Sequence, residues 1–188
     1  MTAPVHPRHL VLSELEAGLP AIRLAPQDRG TLELIVRRPR PLEREVLDEG
    51  QLDLVQGLVG DSWRARGSSR MLDGAADPET QITLISARVI DLLAGSRDRW
   101  ALAGDQLYID LDLGGDNVPP GTRLAIGGAT VEVTARPHTG CKQFAERFGL
   151  DAVRFVSTPL GRQSNLRGVN TRVVVAGTVR RGDIVRKV

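Results

Sequence analysis

A single cysteine, Cys141, stands among the 188 residues. No intrachain disulfide can form, and a disulfide-stapled secreted domain is excluded. Lysine is nearly absent: Lys142 and Lys187 are the only two among 25 basic residues. Aromatic rings are scarce at 3% (Trp63, Trp100, Tyr108, Phe144, Phe148 and Phe155). They are too scattered for a base-stacking surface, so nucleic acid is not expected as a partner. Long apolar runs are missing too. The longest, Ile82–Gly95, is broken by Arg88 and Asp91 and is too short and too charged to span a bilayer. The N-terminus MTAPVHPRHL has no apolar h-region, so no signal peptide is visible. These absences lead us to expect a soluble protein of a reducing, cytoplasmic compartment, with no membrane partner.

What is present is ordinary globular material, 41% apolar and 26% charged, enough for one compact domain with a real core. The net charge of +2 hides an asymmetry. Residues 136–188 carry eleven basic and three acidic groups, whereas residues 61–135 carry seven and eleven. A near-neutral chain with a cationic last quarter suggests a local anion site rather than a polyanion-binding surface. The arginine fork suits phosphate, although an arginine-rich codon usage would produce the same excess.

Local patterns predict many short strands. Residues 1–30 read as an arm with one short helix at Ser13–Gly18, and residues 31–188 as a single domain. Thr31–Arg38 reads as a strand ended by Pro39 and Pro41, with a second short strand near Arg44–Leu47. Gly57–Asp61 is a turn opening a polar loop to about Pro78. Gln81–Ile85 reads as a strand and Ala87–Ala94 as a helix between Ser86 and Gly95. In Gln106–Leu113, Leu107, Ile109, Leu111 and Leu113 share one face. Gly127-Gly128 marks a hairpin between Thr122–Ile126 and Ala129–Ala135. Cys141–Phe148 and Leu150–Val156 are helical, and Val169–Ala176 and Asp183–Val188 are strands. Seven or eight strands separated by Gly/Pro turns, with three small helices, favour a mainly β fold, a closed or nearly closed barrel.

Two side chains stand out chemically. Cys141 follows the turn Pro137-His-Thr-Gly140 at a helix start, where backbone N–H groups and the cations Lys142 and Arg136 favour a nucleophilic thiolate; the plainer alternative is a small buried hydrophobe. His138, three residues earlier, is a candidate partner for that thiol or a solvent-facing loop residue. One cysteine and three histidines give no zinc spacing. The glycine–acid turns at Gly57–Asp61 and Gly104-Asp105 lack the strand–loop–helix context of phosphate-cradling loops. Arg180 and Arg181 read as the tip of a solvated turn.

Taken in order, Gly57-Leu-Val-Gly-Asp61, Gln81-Ile-Thr-Leu-Ile-Ser, Gly104-Asp-Gln-Leu107, Pro119-Pro-Gly-Thr-Arg-Leu-Ala-Ile-Gly127, the Cys141 segment, Arg167-Gly-Val-Asn and Gly177-Thr-Val-Arg-Arg-Gly-Asp-Ile-Val185 resemble the MOSC family, named for the C-terminal domain of molybdenum-cofactor sulfurases. The likeness covers about residues 30–188. It implies a β-barrel related to the inserted barrel domain of pyruvate kinase. It implies a molybdenum–pterin cofactor (molybdopterin), with Cys141 as metal ligand or sulfur carrier. It further implies that Arg136, Lys142, Arg167 and Arg172, with Asp61 and Gln106, contact the cofactor or substrate. The chain departs from the family where Gln106 replaces the usual asparagine. It also has no pyridoxal-phosphate desulfurase domain, and the stretch before Gly57 is short for the N-terminal domain that grips the pterin in larger members.

Three functions follow as expectations. The first is a molybdenum-dependent reductase of N-oxygenated substrates, with Cys141 on the metal. It needs an electron-delivery protein, because the chain shows no flavin, haem or iron–sulfur motif. The second is a sulfur carrier that takes a persulfide on Cys141 from a cysteine desulfurase. The third is a non-catalytic barrel that binds an anion or a partner.

Overall fold

A computed structural model describes residues 8–188; most of the expected loose arm over residues 1–10, including His6, lies outside the described residues. Period-two alternation builds the framework. Strand β1 (Arg29–Arg37) is followed by β2 (Glu45–Leu47), β3 (Glu49–Asp53), β4 (Gly57–Leu58), β5 (Ile82–Ser86) and β6 (Leu107–Asp110). Then come β7 (Arg123–Ile126), β8 (Ala129–Val133), β9 (Val169–Val175), β10 (Gly177–Arg180) and β11 (Ile184–Lys187). Seven strands close in the order β1-β11-β7-β8-β9-β5-β6 and back to β1, giving a mixed barrel, mainly antiparallel. The parallel pair β5–β6 is joined by a helical crossover. The expected barrel is present and contains this one βαβ unit.

The helices are α1 (Leu12–Ala17), α2 (Leu19–Arg23), α3 (Trp63–Arg66), α4 (Ala87–Ala94), α5 (Lys142–Phe148), α6 (Leu150–Ser157) and α7 (Pro159–Gln163). Helix α4 spans the residues read from its caps, and Gly95 ends it in the left-handed conformation at φ 70°. α1 starts after Val11 rather than at Ser13. Among the described residues, no helix is long and apolar enough to cross a membrane.

The apolar residues sort into two layers. Leu107, Ile109, Leu111 and Leu113 do share a face: all four sit in the barrel interior with Leu32, Ile35, Ile82, Leu84, Val131 and Val185. The opposite face of the same strands supplies Leu34, Val36, Ile85 and Tyr108 to a second layer under the helices, against Leu15, Ile90, Phe144, Phe148 and Phe155. In β1 the phase changes between Leu32 and Leu34, where the pairing with β6 shifts register. That bulge lets Leu32 and Ile35 both face inward despite their odd spacing.

Three strands, β3, β4 and β10, were unexpected. β3 and β10 pair with each other, and β4 completes a small three-stranded sheet that adds Leu52, Leu58 and Val179 to the barrel interior. Arg180 therefore lies in a strand, and the turn that follows is Arg181-Gly182.

Candidate functional site

Five stretches of chain meet at one rim of the barrel. The end of β1 delivers Arg38 and the loop to Arg44; the β4–α3 turn delivers Asp61 and α3 delivers Arg66. The turn before β6 delivers Gly104-Asp105. The β8–α5 loop delivers His138 and Cys141, and the turn before β9 delivers Arg167. Together they enclose a cleft of about 560 Å³ lined by Arg38, Arg40, Arg44, Arg66, Arg147 and Arg167, with His138 and Cys141 beside them. No carboxylate is among the lining residues. Cys141 is exposed.

Two buried carboxylates behind the cleft hold it in shape. Asp61 is fully enclosed and accepts from Arg38 three times: from its backbone N–H at 2.9 Å, from Nε at 2.9 Å and from Nη2 at 2.8 Å. It also accepts from Trp63 N–H at 2.9 Å. Burial alone would raise this carboxyl; the Arg38 fork overcomes it and holds Asp61 below the ordinary carboxylate value. Arg38 Nη1 donates to the Gly104 carbonyl at 2.9 Å. Gly104 has φ +83°, and a Cβ there would come within 3.1 Å of Arg44 Nη2, so the turn both needs glycine and brings the chain close to a second cleft arginine.

Asp105 is the second anchor. It is fully buried and accepts from Arg167 Nη1 at 2.8 Å, while Arg167 stacks 4.6 Å above the Phe144 ring of α5. Its other oxygen, Oδ1, faces His138 Nδ1 at 3.5 Å, and neither atom has another partner. Burial drives the Asp105 carboxyl upward against the pull of Arg167 and Arg38. The same burial, with Arg167 and Arg38 nearby, drives His138 well below the ordinary imidazole value. A neutral imidazole with its proton on Nδ1 suits Asp105 and leaves Nε2 as an acceptor.

That arrangement predicts a pH dependence. The unfolded chain takes up the His138 proton below about pH 6.5, where the folded protein resists it. Stability from this source is complete above pH 6.5 and falls as the pH drops toward the lowered folded value. Urea unfolding between pH 6.5 and 5 should show the wild type losing up to about 1.4 kcal/mol per pH unit relative to His138→Gln. Parallel profiles for the two proteins would contradict the half-buried neutral imidazole.

The cleft cations repel one another. Burial, and then Arg147 and Arg38, lower Arg44; burial and then Arg38 lower Arg66. Arg44 Nε is buried without a hydrogen-bond partner. Such a set favours an anionic ligand.

Of the residues singled out in the sequence, Cys141, His138 and Arg167 come together here, with Asp61 as the support of Arg38. The others lie elsewhere. Arg136 is tied to Asp77 at 3.1 Å and Glu79 at 3.7 Å. Lys142 projects into solvent opposite Glu146. Arg172 pairs with Glu132 on the barrel exterior at 2.5 Å. Gln106 is a buried strut: Oε1 accepts from Thr83 N–H and Oγ1 at 2.8 and 2.6 Å, and Nε2 donates to the Gln81 carbonyl at 3.2 Å. Arg38, Arg40, Arg44, Arg66 and Arg147 were not anticipated. The available signal was the dense Arg37-Arg-Pro-Arg-Pro-Leu-Glu-Arg44 run.

Comparison with known proteins adds a family. A model of the MOSC domain matches residues 72–186, a span that includes Asp105, His138, Cys141 and Arg167 but not the arginine loop or Asp61. No curated protein matches the chain. Among solved structures, the YuaD protein from Bacillus subtilis is similar at 18% identity and TM-score 0.61, over 84% of this chain and 94% of its own. YiiM from Escherichia coli is 17% identical with TM-score 0.54, over 84% of this chain and 69% of its own. YiiM from Geobacillus stearothermophilus is 14% identical with TM-score 0.54, over 85% and 75%. These likenesses establish the fold.

Proposed function

Because the chain belongs to the MOSC domain family, a family associated with the molybdenum cofactor, we propose that the arginine cleft binds that cofactor with Cys141 as its metal ligand and serves the reduction of N-oxygenated substrates. The observation that carries this reading is the cleft itself: six arginines and no lining carboxylate beside one exposed thiol. The donor set fits the group. A sulfur ligand suits molybdenum, and Arg44 and Arg66, which have no carboxylate partner among the described residues, suit a pterin phosphate. When bound, the cofactor supplies two-electron redox chemistry at the metal.

This chain's own part is to hold and orient. Arg38 and Arg167, pinned by Asp61 and Asp105, present fixed guanidinium groups, while Arg44 and Arg66 remain available to an anion. His138 lines the same cleft as the thiol, with its Nδ1 toward Asp105 and its Nε2 as an acceptor. Reduction of an N–OH to an N–H consumes two electrons and two protons and releases water, so an electron-delivery protein is a required partner. The exposure of Cys141 also supports the sulfur-carrier reading, in which a cysteine desulfurase loads a persulfide there.

Calorimetric titration with inorganic phosphate tests the anion cleft. Saturable binding is expected, weakened about tenfold or more by Arg44→Ala combined with Arg66→Ala, since charge-assisted hydrogen bonds contribute about 1.5–3 kcal/mol each. Equal affinity in the double variant would refute it.

A further inference from the structure

A second cavity, of about 470 Å³, shares no lining residue with the arginine cleft. It opens between α2, the start of α4, the segment after β6, and α7. Leu19, Ile22, Val89, Leu111, Leu113 and Leu160 give it aliphatic walls. Hydrogen bonds tie those walls together. Asp112 N–H donates to the Pro26 carbonyl at 2.8 Å, and Asn117 Nδ2 donates to the Gln27 and Asp112 carbonyls at 2.9 and 2.8 Å. Gly115 N–H donates to the Gln163 carbonyl of α7 at 2.9 Å.

The charged and polar groups of this cavity are of two kinds. One is electropositive. The N-cap of the eight-residue helix α4, Ser86, and its third residue, Val89, both line the cavity. First-turn N–H groups have no intrahelical carbonyl to bond, and they carry a partial positive charge. Ser86 is 5% exposed, yet its Oγ caps none of them and has no hydrogen-bond partner. Buried polar atoms are seldom left so. Arg23, which ends α2, is the one cation of the lining. The other kind is anionic. Asp112 and Asp116 line the cavity, and neither is paired with a cation among the described residues. Asp112 Oδ1 accepts from Gly114 N–H at 2.8 Å, which leaves Oδ2 for another donor.

A lone anion here would meet two carboxylates, and a lone cation would meet the α4 terminus and Arg23. A zwitterion with an apolar body answers both sets of groups. We infer that this cavity is a binding site for a free α-amino acid with an aliphatic side chain. The carboxylate accepts from Ser86 Oγ and the first turn of α4. The ammonium group donates to Asp112, and the side chain lies among the leucines. The site stands apart from the cofactor reading and does not rest on it.

L-leucine titrated calorimetrically into the full chain tests the inference, with two of its fragments as controls. Saturable one-to-one binding of L-leucine is expected. Isocaproate, which lacks the ammonium group, and isopentylamine, which lacks the carboxylate, should each bind about tenfold or more weakly, because each forfeits hydrogen bonds to a charged group. Ser86→Ala should weaken L-leucine by about tenfold without lowering the urea midpoint, since its hydroxyl makes no bond in the free protein. Asp112→Asn should weaken L-leucine but not isocaproate, a contrast that separates a lost ammonium contact from a distorted cavity. No saturable binding of L-leucine, equal affinity for isocaproate, or binding indifferent to both substitutions would overturn the inference.

Discussion

Asp61→Ala is expected to destabilise the protein by about 3–5 kcal/mol, the scale on which a broken buried ion pair is felt. Asp61 is fully enclosed and accepts four hydrogen bonds, three from Arg38. Removing the carboxylate leaves Arg38, itself only 8% exposed, with a buried charge held by the Gly104 carbonyl alone. Total stabilities of about 5–15 kcal/mol make this a large fraction. Asp61→Asn keeps the shape and some of the hydrogen bonds, and it should cost less. Urea unfolding at neutral pH checks both, and a loss below about 1 kcal/mol for Asp61→Ala would show that the pair does not hold the rim. Phosphate affinity should fall in parallel, since Arg38 is the innermost cation delivered by the β1 loop.

Cys141→Ser should do the opposite, abolishing function while leaving stability intact or slightly raised. Cys141 is the N-cap residue of α5 and makes no capping hydrogen bond through its side chain. Serine caps helices well, to the extent of about 0.5–1 kcal/mol, and the exposed site offers no cavity to open. The same substitution removes the only thiol in the chain. Metal retention, and any one-sulfur mass gain after incubation with a cysteine desulfurase, should both vanish. A mass gain in the wild type without metal retention would favour the carrier over the reductase. A variant that retained both properties would exclude Cys141 from either role. Destabilisation beyond about 2 kcal/mol would mean the thiol is a packing element instead.

The contrast between these two residues explains what could be read from the sequence. Cys141 announced itself locally: a Pro-His-Thr-Gly segment, which forms a loop without the expected turn, before a Phe144/Phe148 face is a short-range pattern. The same holds for the Gly127-Gly128 hairpin and for the α4 boundaries at Ser86 and Gly95. Arg38 gave no such sign, because what places it is nonlocal. Its carboxylate lies 23 positions on and its carbonyl acceptor 66 positions on. Strand β10 was hidden in the same way. Gly177-Thr-Val-Arg180 has turn composition, and only pairing with the distant, equally polar β3 makes it a strand. The cationic last quarter contains two of the arginines that line the cleft, Arg167 and Arg147, but only Arg167 was singled out in it. Most of its other arginines are spent on ion pairs such as Arg172–Glu132, which charge counting cannot foresee. Helix α7 had its signals in Thr158 and Pro159, since Thr158 Oγ1 accepts from Gly161 N–H. Gly161 inside the helix masked them; a Cβ there would meet the Phe155 carbonyl oxygen at 2.4 Å.

The most direct test of the central claim is the molybdenum and pterin content of the full chain purified from cells that synthesise the cofactor. The cleft geometry predicts both near one per chain, with molybdenum lost in Cys141→Ser and pterin reduced in the Arg44→Ala, Arg66→Ala double variant. Wild-type protein carrying neither metal nor pterin would contradict it.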